Sequence, residues 1–362
     1  MGFDVAIVGG GAVGCLTAKH CAEKGLSAAV LEEHAKAGKL GRCTGLVSKR
    51  GLGETGVNFE KTVLNEIRGC NIRAGTRVMA VDAKRAVALV IDRQAFDEEC
   101  RREASQAKFH FNSRVTGFKG NNVIAGKRKI ESRYVVGADG ANSFTARALG
   151  FPAIPSKGYA LAWQGEYSGA RVEDAEFVDV FLEPEKIRGF FGWFVPVSRR
   201  VVRVGLATRN HAELAEAKGF LLAEPRVAAA LENARKKSEF NALIPLEARS
   251  KTVKGNALLV GDAAGQVKAT TGGGIVFGAK CSAVLAECLA RGEPAAYEKA
   301  WRRKASTLKW HSRLRSFYDS LDSKSLGLVL STAKVLGGSW LLSRFGDMDY
   351  VVNPRGRHAP KR

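Results

Sequence analysis

The chain has 362 residues, of which 45% are hydrophobic and 26% are charged, a mixture that is typical of globular proteins and excludes a disordered or fibrous chain. Its seven cysteines include no Cys-x-x-Cys pair, so we expect no zinc site, no iron–sulfur cluster and no other metal site. The formal net charge of +21 does not bear on the fold, but it predicts an anionic partner or an unusual solvent environment.

A glycine-rich motif near the N-terminus predicts a dinucleotide-binding turn. Residues 3–8 have the pattern of a buried strand and lead directly into the sequence GGGAVG at residues 9–14. Residues 15–24 have helical spacing, and residues 28–31 form a second short strand that ends at Glu32. Glycines in such a turn let the backbone approach a pyrophosphate at a helix N-terminus. The carboxylate of Glu32 is placed to accept hydrogen bonds from the ribose hydroxyls of an ADP group.

Two further strands lead into residues that suit the same site. Residues 87–91 precede a helix whose first turn carries Arg93, which can reach back to a cofactor or can be an ordinary solvated arginine. Residues 258–260 precede Asp262, and a glycine run that ends at Gly274 opens an apolar helix. The two halves of this site are some 250 residues apart, a spacing that favours FAD over NAD as the cofactor.

With these motifs, the chain resembles the FAD-dependent oxidoreductases of the para-hydroxybenzoate-hydroxylase fold and, within them, the archaeal geranylgeranyl reductases, from Asp4 to about Glu287. The resemblance implies an α/β fold: a Rossmann-like FAD-binding domain with an antiparallel-sheet substrate domain and a helical C-terminal region. It implies that Asp262 binds the ribityl chain, and that the helix after Gly274 directs its positive N-terminus at the pyrimidine end of the flavin. The residues that it implies for FAD binding are Gly9, Gly11, Ala12, Val13, Gly14, Glu32, Cys43, Thr44, Arg93, Val115, Asp262, Gly274 and Ile275.

The segment GRCTGLVS at residues 41–48 separates the reductases from the hydroxylases. It resembles the reductase motif in which a cysteine lies near the isoalloxazine, so the resemblance implies that Cys43 is a catalytic residue on the reactive side. Most free cysteines are small buried hydrophobic groups instead. A position between glycines in a loop favours the functional interpretation.

The segment GFFGWFVP at residues 189–196 resembles the aromatic strand that lines the lipid tunnel of geranylgeranyl reductases. Phe191 and Trp193 are therefore candidate substrate-pocket residues, although a plain sheet core would show the same pattern. Phe191 stands where the family usually carries tyrosine, and Ala269 stands where relatives commonly carry proline, which would make that loop less rigid. Lys268 beside it is not expected to be a buried cation; we expect it to face solvent or the rim of the flavin.

The sequence predicts four parts. Residues 1–155 are the first part of the FAD-binding domain, with an inserted segment at about 56–84, and residues 250–295 are the last part of that domain. Residues 156–249 form the substrate-binding sheet and helices, and residues 296–362 form a helical, basic C-terminal region. Residues 159–206 are rich in strands and predict the antiparallel sheet over the substrate. Residues 212–237 predict helices that are polar on one face.

Much of the positive charge lies late in the chain. Residues 299–315 hold seven Lys or Arg and no acid, interleaved with Trp and Leu. A basic helix with tryptophans is typical of a protein in peripheral contact with an anionic membrane, while a solvated face in a salty or hot cytoplasm would show the same pattern. Residues 326–342 are apolar but fall short of the ~20 residues that span a bilayer, which favours a core or interfacial helix. No RNA-binding module is visible, so no nucleic-acid partner is expected.

The N-terminus enters a core strand without a charged leader, which predicts a cytoplasmic protein that is at most peripheral at the inner face of the membrane. From the resemblance, the leading hypothesis is an FAD-dependent reductase that saturates C=C bonds of an isoprenoid (geranylgeranyl) lipid or precursor by hydride transfer from reduced flavin. The electron donor would be NAD(P)H or a ferredoxin. An isolated alkene accepts hydride poorly, so a proton must also be supplied in a dry pocket, by Cys43 or a bound water.

The alternative is a flavin-dependent monooxygenase that hydroxylates its substrate. A halogenase is disfavoured, because halogenases carry a second tryptophan in the aromatic strand and a lysine after the glycine turn, for which Lys39 lacks the expected surroundings. A basic RNA-modifying flavoprotein is a further alternative, and it would bind tRNA in a salt-sensitive way.

Overall fold

The computed structural model describes residues 2–38, 41–347, 349 and 351–352, so Lys39 lies outside the described residues. The strands are β1 (Phe3–Val8), β2 (Ala28–Leu31), β3 (Leu46–Ser48), β4 (Val63–Ile67), β5 (Gly69–Ala74), β6 (Arg77–Asp82), β7 (Ala88–Ile91), β8 (Lys108–His110), β9 (Gly117–Lys119), β10 (Asn122–Ala125), β11 (Arg128–Ile130), β12 (Ser132–Gly137), β13 (Tyr159–Ser168), β14 (Phe177–Phe181), β15 (Gly192–Pro196), β16 (Val201–Thr208), β17 (Arg235–Pro245), β18 (Val253–Lys254), β19 (Ala257–Leu259), β20 (Gly346–Asp347) and β21 (Val351–Val352). The helices are α1 (Ala12–Glu23), α2 (Lys49–Gly53), α3 (Arg93–Glu103), α4 (Phe144–Ala148), α5 (Leu214–Ala223), α6 (Pro225–Leu231), α7 (Ile275–Ala290), α8 (Ala296–Lys304), α9 (Leu308–Asp319), α10 (Ser323–Val335) and α11 (Gly338–Phe345).

A six-stranded sheet, in the order β18-β19-β12-β1-β2-β8, forms the centre of the N-terminal part, and β18 joins its edge antiparallel to otherwise parallel strands. Val5 and Ile7 of β1 pack against α1 and α7, whereas Ala6 and Val8 pack on the opposite side, toward the small sheet β9-β10-β11. This alternation follows the two-residue period of a strand. A parallel sheet is stable when both faces are covered, as they are here.

Local signals set the ends of the elements around this sheet. Gly25 adopts a φ of 77° directly after α1, a left-handed conformation that commonly ends helices. The carboxylate of Asp92 accepts hydrogen bonds from the backbone N–H groups of Gln94 and Ala95 at 2.9 and 3.1 Å, and so begins α3. The predicted strand over residues 87–91 is confirmed as β7, which pairs with β3 and β4 in a separate antiparallel sheet.

A second large sheet, in the order β17-β13-β16-β15-β14-β5-β6, is antiparallel apart from the parallel pair β14 and β5. Trp193 and Val195 face one side of it, whereas Phe194 faces α5 and α6 on the other. The predicted fold class is therefore confirmed. Two details differ from the prediction. Residues 235–237, expected to be helical, begin β17 instead, and β5 and β6 from the inserted segment 56–84 extend this sheet. Local patterns do not show either feature, because β17 pairs with β13 and β5 pairs with β14, and these partners are distant in the sequence.

The C-terminal region is helical, as predicted, but its helices divide differently. Gly337, with a φ of 73°, separates α10 from α11, and the two helix axes differ by 75°. The expectation of one helix over residues 326–342 is therefore wrong. Across the described part of the chain, no single helix is long and apolar enough to cross a membrane, although α10 and α11 taken together reach that length and composition.

Candidate active site

The glycine turn between β1 and α1 has the geometry that close backbone approach requires. Gly9 has a φ of 103°, and a side chain there would lie 2.6 Å from a carbonyl oxygen of the loop after β12. A side chain at Gly14 would lie 1.9 Å from the carbonyl oxygen of Gly9, so only glycine lets α1 pack here. Gly11, Ala12 and Val13 line a large cavity, and the N-cap residue of α1 is Gly11, which leaves room at the helix end. The helix N-terminus thus faces the cavity as an anion-binding end.

Glu32 follows β2, as predicted, and its side chain is fixed beside the turn. Its Oε2 accepts a hydrogen bond from the backbone N–H of Gly10 at 2.7 Å, and its Oε1 lies 2.6 Å from Nδ1 of His34. The carbonyl oxygen of Glu32 accepts a hydrogen bond from the backbone N–H of Ser113 at 2.8 Å. Nearby, the side chain of Val115 packs in the core against the sheet, so its predicted contact with a cofactor would have to be made by its backbone.

The loop that carries Cys43 is held by the large antiparallel sheet. Oγ1 of Thr44 donates to Oε1 of Gln164 at 2.7 Å, and the same oxygen accepts a hydrogen bond from the indole N–H of Trp193 at 3.0 Å. The carbonyl oxygen of Thr44 accepts a hydrogen bond from Nη1 of Arg203 at 2.8 Å. Cys43 itself is partly exposed and lines the cavity. Gln164 and Arg203 were not predicted, because each is a polar residue within a mainly apolar strand, a pattern that other strand residues share.

Arg93 and Asp262 both line the cavity, and the charge of Arg93 acts on the carboxyl of Asp262. Nη2 of Arg93 donates to Oδ1 of Asp97 at 3.0 Å. Burial lowers the pKa of Arg93, but Asp97 and Cys43 raise it by more, so the guanidinium stays charged. Burial raises the pKa of Asp262, and Arg93 partly opposes that effect. Within the part of the chain that the structure describes, the carboxylate of Asp262 makes no hydrogen bond, and it lines the cavity.

The N-terminus of α7 approaches the same carboxylate. A side chain at Gly274 would lie 2.6 Å from Oδ1 of Asp262, so glycine is required for this approach. Gly274 and Ile275 both line the cavity, as predicted for residues near a flavin.

The expectation for Lys268 is wrong: it is a buried cation, and its Nζ lies 2.7 Å from Oδ1 of Asp349. Its partner is 81 residues later in the chain, which local sequence reasoning could not detect.

Helix α9 holds the loop that precedes α7. Arg315 donates to the carbonyl oxygens of Ala269 and Thr270, each at 2.9 Å, and its guanidinium lies 4.5 Å from the centre of the Phe190 ring. Nδ1 of His311 lies 2.6 Å from Oγ1 of Thr270. Arg315 belongs to the basic stretch that the sequence favours as a membrane-facing helix. Its side chain is buried and serves the site instead.

The cavity has a volume of about 1500 Å³ and extends from the glycine turn to the aromatic strand β15. Ligand pockets usually measure ~300–1,000 Å³, so this space can hold a cofactor and a second molecule. The rings of Phe190 and Phe191 stack at 4.4 Å, and Phe191 meets Trp193 edge to face at 5.9 Å. The predicted pocket residues Phe191 and Trp193 both line the cavity. Other apolar lining residues include Ile67, Ile72, Ala162, Val178, Val180, Ala242, Leu243 and Ile244.

A second cysteine, Cys70 on β5, also lines the cavity and was missed by the sequence analysis. Burial raises the pKa of its thiol to about 11, so it is neutral near pH 7. The inserted segment thus contributes a thiol to the same space as Cys43, because β5 pairs with β14 rather than with the parallel sheet.

These features fit FAD. The glycine cradle and the N-terminus of α1, whose N-cap residue is Gly11, suit a pyrophosphate, and the unbonded carboxylate of Asp262 suits a polyol chain. Glu32 is fixed beside the same turn, the position of the ribose in such a site. The N-terminus of α7 beside Asp262 also lacks a side-chain cap. Fold and site together define a flavoprotein built from a Rossmann-like sheet and a large antiparallel sheet.

The chain belongs to the FAD binding domain family, whose sequence profile matches residues 65–296. A second profile, FAD dependent oxidoreductase, matches residues 4–59. The chain is accordingly an FAD-dependent oxidoreductase, as the sequence predicted. The individual cofactor contacts stay predictions, although the structure brings most of the predicted residues to one cavity.

Proteins of similar sequence and structure agree with the predicted resemblance. An uncharacterized protein of Methanocaldococcus jannaschii is 29% identical, with 96% of this chain and 92% of that protein covered. The digeranylgeranylglycerophospholipid reductase of Methanothrix thermoacetophila is 27% identical, with 91% of each covered. A geranylgeranyl bacteriochlorophyll reductase-like protein of Thermoplasma acidophilum has a TM-score of 0.83 at 20% identity, over 92% of this chain and 91% of that one. The p-nitrophenol 4-monooxygenase of Pseudomonas putida shares the fold at a TM-score of 0.74 and 16% identity, over 95% and 96%.

Proposed function

We propose that the protein saturates carbon–carbon double bonds of an isoprenoid lipid, such as a geranylgeranyl glycerophospholipid, or of its precursor. The observation that carries this proposal is the cavity, whose apolar part continues from the predicted flavin site along β13, β14 and β15. A polyprenyl chain is stabilised there by burial, at about 0.8 kcal/mol per methylene. The similarity to digeranylgeranylglycerophospholipid reductases supports the same substrate class.

Each part of the site has a distinct task in this reaction. FAD, when bound and reduced, supplies a hydride to one alkene carbon. The other alkene carbon needs a proton, and Cys43 is the candidate donor, directly or through a water molecule beside it. The chain orients Cys43 through Thr44, whose hydroxyl and carbonyl groups are both hydrogen-bonded to the large sheet. The electron donor that reduces FAD is NAD(P)H or a ferredoxin.

The aromatic wall of the cavity also keeps water away from the reacting groups. Phe190, Phe191 and Trp193 form a continuous aromatic surface, and the buried guanidinium of Arg315 packs against the Phe190 ring. Such a surface excludes water, which would otherwise compete for the proton and stabilise charge in the wrong place. Among these three residues, Trp193 is held in one orientation by its hydrogen bond to Gln164, so it is the one that fixes the shape of the pocket.

The test is an anaerobic turnover assay with a geranylgeranyl phospholipid in detergent and dithionite as the reductant. We expect mass spectrometry to show products that have gained two hydrogen atoms per reduced bond. Ala242→Trp, which fills the apolar part of the cavity, should lower turnover at least tenfold while the visible spectrum of bound FAD persists. Hydroxylation of an aromatic compound in air, without reduction of the lipid, would assign the protein to the monooxygenases instead.

Two cysteine variants separate chemistry from packing in the same assay. Cys43→Ala should lower turnover by ~100-fold, the usual contribution of a positioned acid. Cys70→Ala removes the other thiol that lines the cavity and serves as the matched control, with turnover within a few-fold of wild type. Full activity of the Cys43 variant would exclude its thiol and leave a water molecule as the proton donor.

A further inference from the structure

Helix α9 has the reverse of the polarity expected for a surface helix. Its buried face carries Leu308, His311 and Arg315, including two of its polar groups. Its outer face carries large apolar side chains at positions 310, 314 and 317, which is helical spacing, and Trp310 and Phe317 are 58% and 53% exposed. Exposure of large apolar side chains to water is unfavourable, so the exposed stripe indicates a partner of low polarity.

Helices α10 and α11 also carry exposed large apolar side chains. At the bend between these helices, Val335 is 85% exposed and Leu336 is 78% exposed. We define the C-terminal apolar surface as the exposed large hydrophobic residues of this region: Trp310, Leu314, Phe317, Leu328, Val329, Val335, Leu336, Trp340, Leu341 and Leu342. On its inner side, α10 packs on the edge of the large sheet through Leu326 and Leu330. The surface is therefore the outside of a folded element.

The charges around the C-terminal apolar surface are positive. Exposed cations stand among its residues: Lys309, Arg313, Lys324, Lys334 and Arg344. The acids of the same region are engaged in the fold, since Asp319 pairs with Arg209 at 2.8 Å and Asp322 caps α10 by accepting a hydrogen bond from Ser325 N–H at 2.7 Å. A second copy of this chain would bring an equal positive charge to the contact. An anionic surface would be attracted instead.

The surface is also continuous with the cavity. Leu342, Ser343 and Arg344 of α11 line the same cavity as the aromatic strand, and Leu342 belongs to the C-terminal apolar surface as well. A bilayer on this surface would therefore lie beside a wall of the cavity. A lipid chain could then pass from one apolar medium to another without crossing water.

We propose that the C-terminal apolar surface docks on a bilayer that contains anionic lipid, with the bend between α10 and α11 inserted among the acyl chains, and that α11 forms the passage by which lipid enters the cavity. The entry of substrate by this passage rests on the proposed function, whereas the docking does not. The predicted membrane contact is thereby placed on α9 to α11, with apolar side chains inserting and cations binding head groups.

The docking is tested by co-sedimentation of the FAD-loaded protein with phosphatidylcholine vesicles, with and without phosphatidylglycerol. We expect binding to the anionic vesicles to be at least tenfold tighter than to the neutral ones. The double variant Val335→Ser/Leu336→Ser should weaken it by at least tenfold, while Leu64→Ser, at another exposed site, should not. Unchanged binding by the double variant would overturn the proposal, and so would a self-association of wild type that the same variant abolishes.

Two charge-reversal variants test the role of the cations in this surface. Lys324→Glu/Lys334→Glu should lower the affinity for anionic vesicles more than Lys119→Glu/Lys127→Glu, which changes the net charge equally on the small sheet β9-β10-β11. Equal losses would indicate attraction by net charge alone and overturn the choice of surface.

Substrate entry is tested separately, with the isoprenoid lipid presented in vesicles or in detergent. Val335→Ser/Leu336→Ser should lose turnover on vesicles and keep it in detergent. Equal loss in both formats would overturn the passage. If wild type reduces the lipid in neither format, the proposed function fails, and the vesicle-binding result still decides the docking.

Discussion

At the scale of single residues, Asp262 shows how the site is prepared for its cofactor. Its carboxylate lines the cavity and makes no hydrogen bond among the described residues, and burial raises its pKa above the usual value of an aspartate. The neighbouring N-terminus of α7 and the guanidinium of Arg93 stabilise its charge only in part. The flavin-free protein therefore keeps an acid whose charged form is disfavoured until a hydroxyl group binds to it.

This arrangement predicts opposite effects of Asp262→Asn on stability and on binding. Because the folded-state pKa is raised, the carboxyl costs nothing at a pH below the unfolded value of 3.8 and destabilises the fold increasingly as the pH rises above it. The flavin-free variant should therefore unfold at a higher temperature than wild type at pH 8, with little difference at pH 4. Its affinity for FAD should fall by ~10- to 100-fold.

Thermal unfolding of both flavin-free proteins at the two pH values measures the first effect, and quenching of FAD fluorescence measures the second. Asp139→Asn is a useful comparison, because that carboxylate already accepts hydrogen bonds from Ser143 and from the backbone N–H of Thr145. Loss of the Asp139 carboxylate should lower the free energy of unfolding at pH 8. If Asp262→Asn were also destabilising at pH 8, the side chain would have a structural partner, and its assignment to the ribityl chain would lose support.

At the scale of elements, Arg203 joins the loop that carries Cys43 to β7 and β13 at one point. From β16 it donates to the carbonyl oxygens of Thr44 and Ile91 at 2.8 and 3.2 Å, and its Nε donates to Glu166 on β13 at 2.9 Å. A side chain at Gly45 would lie 2.8 Å from its Nη1. The loop that carries Cys43 is thus positioned by the substrate sheet and only indirectly by the Rossmann-like sheet.

Arg203→Gln should loosen this loop more than the rest of the protein. Two buried carbonyl groups lose their donor, which costs about 1–3 kcal/mol of folding stability. Hydrogen exchange should accelerate at the backbone N–H of Ile91, which donates to the carbonyl oxygen of Gly45, before it does so in β13 or β16. Arg200→Gln in the exposed hairpin before β16 is the control, and it should leave exchange unchanged. Uniform acceleration over the whole sheet would contradict a local role.

How far the sequence predicts such elements depends on the range of the interactions. The strand, glycine turn, helix and acid that end at Glu32 are adjacent in the chain, so their pattern was sufficient. Gln164 and Arg203 act on Thr44 from more than a hundred residues away, and no local pattern distinguishes them from other polar residues in strands. The pairing of β5 with β14 has the same cause, since register between distant strands is set by packing that a single strand does not encode.

At the scale of the whole molecule, the cationic side chains occupy two kinds of position. Some cations are internal: Lys268 pairs with Asp349, and Arg315 on α9 donates to the carbonyl oxygens of Ala269 and Thr270. Others stand exposed around the C-terminal apolar surface. Composition alone could not separate the two groups, because Arg313 and Arg315 lie in the same basic stretch and differ only in which face of α9 they occupy.

Arg313 and Arg315 make this separation testable, because they are two residues apart on opposite faces of α9. Arg315→Met should weaken FAD binding about tenfold, since the loop before α7 loses both hydrogen bonds to its carbonyl groups, and should leave vesicle binding unchanged. Arg313→Met should do the reverse: affinity for anionic vesicles falls about fivefold, the value of one cation near such a surface, and FAD affinity stays at the wild-type level. Both affinities are measured on both variants. A variant that lost both properties would show that α9 folds as one unit with the site and that its two faces have no separate functions.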